Sequence, residues 1–312
     1  MIKKQPIERF AKITCALAGA VWGIYWIPLR AVHETGISGS WATTLFYLVP
    51  FSLLLPVGII RWRGILQAGW PLQWIAISAG LSLAFYSNAF LYTDVIRAIL
   101  LYYLTPIWSV LLARVWLKEP ITRNLIVAIV LGSLGLLTIL NVDQGFPIPR
   151  NSGDWMAFIS GLFWALTANL MRHESKQHTL DILIAWFFWA SVFGLVLALL
   201  PAFDRPPLPE LKQIILVLPW LIPIALTLII PGFYAITWGV PLLNPGIVGV
   251  LFMTEISVGA VSAALLTSEP FGIRELLGVT LISAAGLTEA LAPILGTLYL
   301  FRRHKHNKRN RQ

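Results

Sequence analysis

Apolar runs of 18 or more residues recur along the chain between short polar breaks, and this spacing restricts the fold more than any other feature. A run of about 20 apolar residues is long enough to cross a bilayer core as a helix. In lipid every backbone polar group must be satisfied internally, so an apolar run that crosses does so as a helix. Ten runs are read, at 13–30, 41–60, 71–91, 96–116, 122–140, 154–171, 181–200, 215–238, 245–267 and 275–299. Pro219, Pro223 and Pro231 interrupt the eighth. Composition agrees: 57% of the residues are hydrophobic and 12% charged, where a soluble domain carries about 25% charged residues. The reading is an all-α membrane protein with ten transmembrane helices. "MIKKQPIERFAKITCALAGA" has a basic start and an Ala18-x-Ala20 pair like a signal-peptidase site. Its apolar stretch continues through Trp26, however, so it is read as helix 1. The sole cysteine, Cys15, lies in that helix, cannot form an intramolecular disulfide, and reads as a packing residue.

The net charge of +9 invites a nucleic-acid reading that its distribution opposes. Lys3, Lys4, Arg9, Lys12, Arg61, Arg63, Arg114, Lys118, Arg123, Arg172, Lys176 and six residues of the tail fall on the side of the amino terminus. Arg30, Arg97, Arg150, Arg205, Lys212 and Arg274 fall on the other, 17 against 6 of the 23 basic residues. The positive-inside rule then places both termini in the cytoplasm of a multi-pass protein of the cell (inner) membrane. The tail "FRRHKHNKRNRQ" reads as an anchor on anionic lipid, with no nucleic-acid partner.

The chain is also written twice. "GAVWGIYWIPLR" (Gly19 to Arg30) and "GLFWALTANLMR" (Gly161 to Arg172) share Gly, Trp and Arg at one spacing. "YLTPIWSVLLARVWLKEP" (Tyr103 to Pro120) answers "FMTEISVGAVSAALLTSEP" (Phe252 to Pro270), aligning Thr105 with Thr254 and Glu119-Pro120 with Glu269-Pro270. The first half is placed at 1–145 and the second, with the basic tail, at 150–312. The boundary falls in the polar loop from Asn141 to Asp154. Five spans are an odd number, so the second half enters the membrane inverted relative to the first. Two such bundles can rock around a central site that opens to alternate sides; a duplicated scaffold without transport is the plainer alternative.

Both halves open with Gly-x-x-Trp. Each has a fourth helix ending in Glu and a Gly-rich fifth, "VAIVLGSLGLLTI" and "LLGVTLISAAGL". Over essentially its whole length the chain thereby resembles the EamA-type drug/metabolite transporter superfamily, and its Tyr- and Trp-rich centre resembles the amino-acid exporter branch. It carries Ile256 where the second-half signature often has proline. The resemblance implies a secondary transporter that exports small neutral or aromatic amino acids and related metabolites, without a cofactor. Its partners are then a small-molecule substrate and the lipid bilayer, and the protein is a monomer or weak homodimer. The alternatives are a nucleoside or sugar derivative as substrate, or an intramembrane enzyme using Asp94, Glu255 or Glu289. No P-loop or Gly-x-Ser-x-Gly elbow is present, and "HESKQH" misses the i, i+4 histidine spacing of a zincin.

Glu255 is the residue that most needs a reason. A charge at bilayer depth costs about 2.5–3.5 kcal/mol on insertion scales, so it faces a cavity or a partner, and desolvation favours its neutral form. It is read as a proton-coupling and substrate-binding candidate, against a neutral acid bonded to a helix carbonyl. Ser82 and Tyr86 share a hydroxyl-bearing face of helix 3 with Asn88 nearby. Tyr102 and Tyr103 precede Thr105-Pro106 in helix 4, where proline must release a carbonyl. Trp22 and Trp26 in helix 1, Trp164 and Asn169 in helix 6, and Tyr234 and Trp238 in helix 8 complete the substrate-binding candidates. As a set they would sandwich a flat amphipathic substrate; singly, each aromatic reads as packing. Glu119 and Glu269 read as local caps or ion pairs, and Arg30 and Arg172 as helix-end anchors.

Overall fold

The computed structural model of the protein describes residues 4–37, 39–139, 148–200, 207–267 and 271–288. Glu269, Glu289, the basic tail and residues 141–147 of the expected central loop lie outside them. Among the described residues every regular element is helical. The first apolar run forms α1 (Lys4–Trp22) and α2 (Trp26–Glu34), separated by a break at 23–25. The second and third runs are joined in α3 (Ser40–Tyr92), 53 residues long. At 1.5 Å per residue a straight helix of that length would span roughly 80 Å, far more than a bilayer core of about 30 Å. The chain turns at Gly69, whose φ of 62° and ψ of −153° are open only to glycine at low cost. The polar loop expected between these runs is therefore helix instead, and Trp62, expected in that loop, is a half-exposed helical residue.

The fourth run is α4 (Val95–Tyr102) and α5 (Thr105–Leu112), continued by a π-helical turn at Ala113–Leu117. Then come α6 (Arg123–Ile139), α7 (Ser152–His173) and α8 (Thr179–Leu199). The proline-interrupted eighth run is α9 (Leu211–Ile224), a π-helical turn at Ala225–Ile229 and α10 (Ile230–Gly239). The ninth is α11 (Pro245–Phe252) and α12 (Thr254–Leu266), and the described residues 273–288 are helical. Among the described residues six stretches are long and apolar enough to cross a bilayer: Pro6–Glu34, Ser40–Tyr92, Arg97–Leu117, Thr179–Leu199, Leu211–Leu242 and Pro245–Leu266. The protein is an all-α, multi-pass membrane protein.

The first helix, α1, packs on the broken α11–α12, and α7 packs on the broken α4–α5. The breaks fall just before the two threonines that align in the sequence. The Thr105 hydroxyl lies 2.6 Å from the Tyr102 carbonyl and 3.1 Å from that of Gly161 on α7. The Thr254 hydroxyl lies 3.0 Å from the Leu251 carbonyl and 2.7 Å from that of Ala16 on α1. Each hydroxyl thus meets a carbonyl released by its own break and one from the opposing helix. The glycines opposite permit the approach. A Cβ on Gly19 would stand 2.5 Å from Thr254 Oγ1, and one on Gly161 would stand 2.9 Å from Thr105 Oγ1.

Polar contacts collect at the two ends of the helices. At one end Asp154 accepts from Arg97 Nε at 2.7 Å, Thr93 Oγ1 at 2.8 Å and the Arg150 amide at 2.8 Å. At the other, Arg61 Nε donates to Asp181 at 2.6 Å, and Arg172 pairs with Glu119 at 3.0 Å while donating to the Pro241 carbonyl. Glu119 thus pairs locally, whereas Arg30 stacks over Trp26 at 5.4 Å and donates to the Phe90 carbonyl at 3.3 Å.

Candidate functional site

The break between α11 and α12 builds the polar centre. Ile256 N donates to the Met253 carbonyl three residues back, at 3.0 Å. The Phe252 carbonyl, which a regular helix would have given to Ile256, is left free, so the break forms without a proline at position 256. Tyr103 of helix 4 reaches that carbonyl with its hydroxyl. Glu255, in the first turn of α12, is fully buried. Tyr86 donates to its Oε1, and the Tyr103 hydroxyl lies 2.6 Å from its Oε2. Tyr102 stacks on Tyr86 with ring centroids 4.3 Å apart.

These contacts can be counted in protons. Tyr103 has one hydroxyl proton and two oxygens in reach, the Phe252 carbonyl and Glu255 Oε2. With a neutral carboxyl, Tyr86 donates to Glu255, Glu255 to Tyr103, and Tyr103 to Phe252, so three protons serve three contacts. With a carboxylate, two protons serve three contacts and one acceptor pair is left facing itself. The closed arrangement is complete only with the proton on Glu255.

Beside it lies an aromatic cluster. Trp22 of α1 contacts Trp164 of α7 at 5.5 Å, Phe233 of α10 at 5.4 Å and Phe252 of α11 at 5.8 Å between centroids. Trp186 of α8 stacks on Trp164 at 5.5 Å and meets Phe233 edge-on at 4.9 Å. Five rings from five helices thus converge, and Phe252 links them to the Glu255 break. Trp22 and Phe233 also line an apolar crevice with Val21, Tyr25, Pro28, Phe46, Leu228, Ile229 and Gly232, where the π-helical turn spreads helix 8. A second hydroxyl group stands nearby: Tyr25, Tyr47 and Ser87 bond to one another, with Ser87 donating to the Leu83 carbonyl at 2.7 Å.

The sequence candidates divide accordingly. Trp22, Tyr86, Tyr102, Tyr103, Trp164 and Glu255 come together at the centre. Trp26 is buried and donates to Ser262 at 3.1 Å, tying α2 to α12. Ser82 donates to the Ser160 carbonyl at 2.9 Å, and Asn88 donates to Ala84 while accepting from Ser40 at 2.7 Å. Asn169 donates to the Ala165 carbonyl at 2.8 Å and leaves its side-chain oxygen without a protein partner. Tyr234 and Trp238 do not join the centre. Tyr234 is 43% exposed on the outer face of α10, and Trp238 packs edge-on against the exposed ring of Phe10. In an all-apolar helix an aromatic satisfies lipid as well as a core, so their position on helix 8 did not fix their face. Trp186, Phe233 and Phe252 join the centre without having been singled out, because "AWFFWA" and its like give no periodicity that selects one ring.

Among the described residues no group of three or more His, Cys, Asp or Glu could hold a metal ion. An uncharacterized transporter of Helicobacter pylori (strain ATCC 700392 / 26695) is 28% identical over 203 residues, which cover 62% of this chain and 64% of that protein. The chain thus matches slightly under two thirds of that relative's length. A solved structure described only as "Crystal structure of protein" shares the fold, with a TM-score of 0.67 at 15% identity over 91% of this chain and 96% of that one. The model of the EamA-like transporter family matches twice, at residues 9–141 and 151–288. With the family model matched twice over most of its length, the chain belongs to the EamA-like transporter family.

Proposed function

We propose that the protein exports small neutral or aromatic amino acids across the cell membrane by alternating access of two inverted five-helix halves, with Glu255 as the coupling proton site. The observation that carries this reading is the juxtaposition of a five-ring aromatic cluster with a buried acid held by Tyr86 and Tyr103. Aromatic faces suit the side chain of such a substrate. The carboxyl of Glu255, once it gives up its proton, suits an ammonium. The exchange of proton for amine makes occupancy of the site and the closed hydrogen-bond chain mutually exclusive, which is a differential affinity of the kind that can move a two-state equilibrium.

Two matches of one family model and the paired Thr–Gly contacts, each between a first helix and the fourth helix of the other half, support the repeat. The test is counterflow in proteoliposomes over a panel of amino acids, a nucleoside and an amino sugar, with and without a pH gradient. Uptake of a large neutral amino acid is expected to exceed that of the nucleoside and the sugar. Trp164→Ala should reduce it at least tenfold, whereas Trp62→Ala on the exposed face of α3 should leave it within twofold. Transport of the nucleoside or sugar alone, or equal losses in the two variants, would refute the amino-acid reading.

A further inference from the structure

Three of the five central rings carry a polar group that the protein does not satisfy. Trp22, Trp164 and Trp186 are 4%, 1% and 0% exposed, and none of their indole N–H groups has a hydrogen-bond partner among the described residues. The three rings touch one another, with centroids 5.5 Å apart for Trp22–Trp164 and Trp164–Trp186 and 6.4 Å apart for Trp22–Trp186. Buried donors are satisfied in nine cases of ten or more, and an orphan calls for an explanation. Three in one contiguous cluster call for a common one. A contact from N–H to a neighbouring ring face is weak and recovers little of what burial removes. Two other indoles use their donors, Trp26 to Ser262 at 3.1 Å and Trp189 to Gln73 at 2.9 Å, and Trp108, packed on Phe158 outside the cluster, is a solitary orphan among the described residues.

We infer that the indole N–H groups of Trp22, Trp164 and Trp186 are the donors of an acceptor subsite, which takes the carboxylate of the transported molecule. This rests on the amino-acid reading above and adds the residues that recognise the acid end. The surrounding charge points to the acid of a zwitterion. Among the described residues the only buried lysine or arginine is Lys12, beside Glu8 at 3.9 Å on α1. A free carboxylate in the centre would thus meet only neutral donors. An ammonium on the same molecule, set against Glu255 past the Phe252 ring, makes the ligand neutral overall. Tryptophan serves here because it offers a donor without an acceptor of its own, so it cannot close on a like neighbour as hydroxyls do. In the Tyr25–Tyr47–Ser87 group the hydroxyls satisfy each other and have nothing left to offer.

The subsite also reads as a specificity device. A donor site left unpaired by a ligand lacking the acceptor disfavours that ligand far more than an apolar wall would. Amino alcohols and amines of the same side chain should be rejected for this reason, although their rings fit.

The test uses the full chain in nanodiscs with 15N-labelled tryptophan, titrated with L-phenylalanine and with L-phenylalaninol, which replaces the carboxylate by an alcohol. The indole signals of residues 22, 164 and 186 are assigned from single Trp→Phe variants. L-phenylalanine is expected to move all three downfield and to bind at least tenfold more tightly than the alcohol. Trp186→Phe should lower the affinity for L-phenylalanine roughly tenfold while changing that for the alcohol less than twofold. Should Trp186→Phe not fold, benzothienylalanine at that position keeps the shape and removes only the N–H. Equal shifts with both ligands, or binding detected by calorimetry while all three signals stand still, would overturn the subsite. A nucleoside or sugar that is carried in place of amino acids and moves the same signals would overturn both the amino-acid reading and the carboxylate assignment, whereas an aromatic carboxylic acid without an amine that binds and moves them would overturn the amino-acid reading and keep the subsite.

Discussion

At the residue scale the centre of the molecule is a problem of proton accounting. Glu255, Tyr86, Tyr103 and the Phe252 carbonyl form a chain that closes when the acid is neutral and lacks one donor when it is charged. A glutamine at 255 can still accept from Tyr86 and donate to Tyr103, so Glu255→Gln should fold and keep the closed chain. It cannot release a proton. In proteoliposomes its net transport should respond to pH at less than a third of the parent's slope while counterflow persists, and a full pH response in the variant would remove Glu255 from the coupling. The acid was legible in the sequence because a lone carboxyl in an apolar helix is costly enough to need a reason. Tyr86 was legible because hydroxyls at four-residue spacing mark a face, and Tyr103 because it stands just before the helix-breaking Thr105-Pro106. Trp186 was not, since Trp186 and Trp189 sit in the same apolar run and only the fold turns one into the cluster and the other toward Gln73.

At the element scale the chain places breaks where close packing needs them. α4–α5 and α11–α12 each stop and restart at a threonine, and the released carbonyls are taken by that threonine or by Tyr103. The cost of a broken helix in a membrane is offset only if such partners exist. Their pairing with Gly161 and Gly19 leaves no room for a side chain. A Cβ on Gly161 would clash with the Tyr102 carbonyl, and one on Gly19 would come 3.1 Å from Phe252 Cα. Gly161→Val and Gly19→Val should each destabilise by about 1–3 kcal/mol, as overpacking does, and lower the melting temperature in detergent by several degrees. Gly232→Ala is the control: its nearest neighbour, Val21 Cγ1, stands 3.5 Å away, and its melting temperature should be no lower than the parent's. The threonines and glycines could be matched in the sequence because the repeat presents each twice. The helical extension of the second run through residues 61–68 could not, because "RWRG" carries the charge of a loop and the turn is set by the φ of Gly69, eight residues after Arg61.

At the scale of the whole molecule the contacts between connecting segments sort into two sets. Gly36 faces Gln213, and Thr93, Arg97 and the Arg150 amide all donate to Asp154. Arg61 meets Asp181, while Arg172 meets Glu119 and the Pro241 carbonyl, and Gly239 packs on Cys15 near the amino terminus. None of these contacts joins a segment that the charge count puts in the cytoplasm to one that it puts outside. The contacts group Asp181 and Glu119 at one end of the helices and Asp154 at the other, in the same grouping as the basic-residue count. Under the alternating access proposed above, opening one end would part its ion pairs while those of the other end hold. The orientation is checked with an impermeant maleimide on intact cells, using single cysteines at Ser152 and Gln312 in a Cys15→Ala background. Ser152→Cys, exposed at the start of α7, should label from outside. Gln312→Cys should label only after the cells are permeabilised. Labelling of both from the same side would require an odd number of crossings between the two halves to be abandoned, and with it the inverted repeat and the alternating opening built on it.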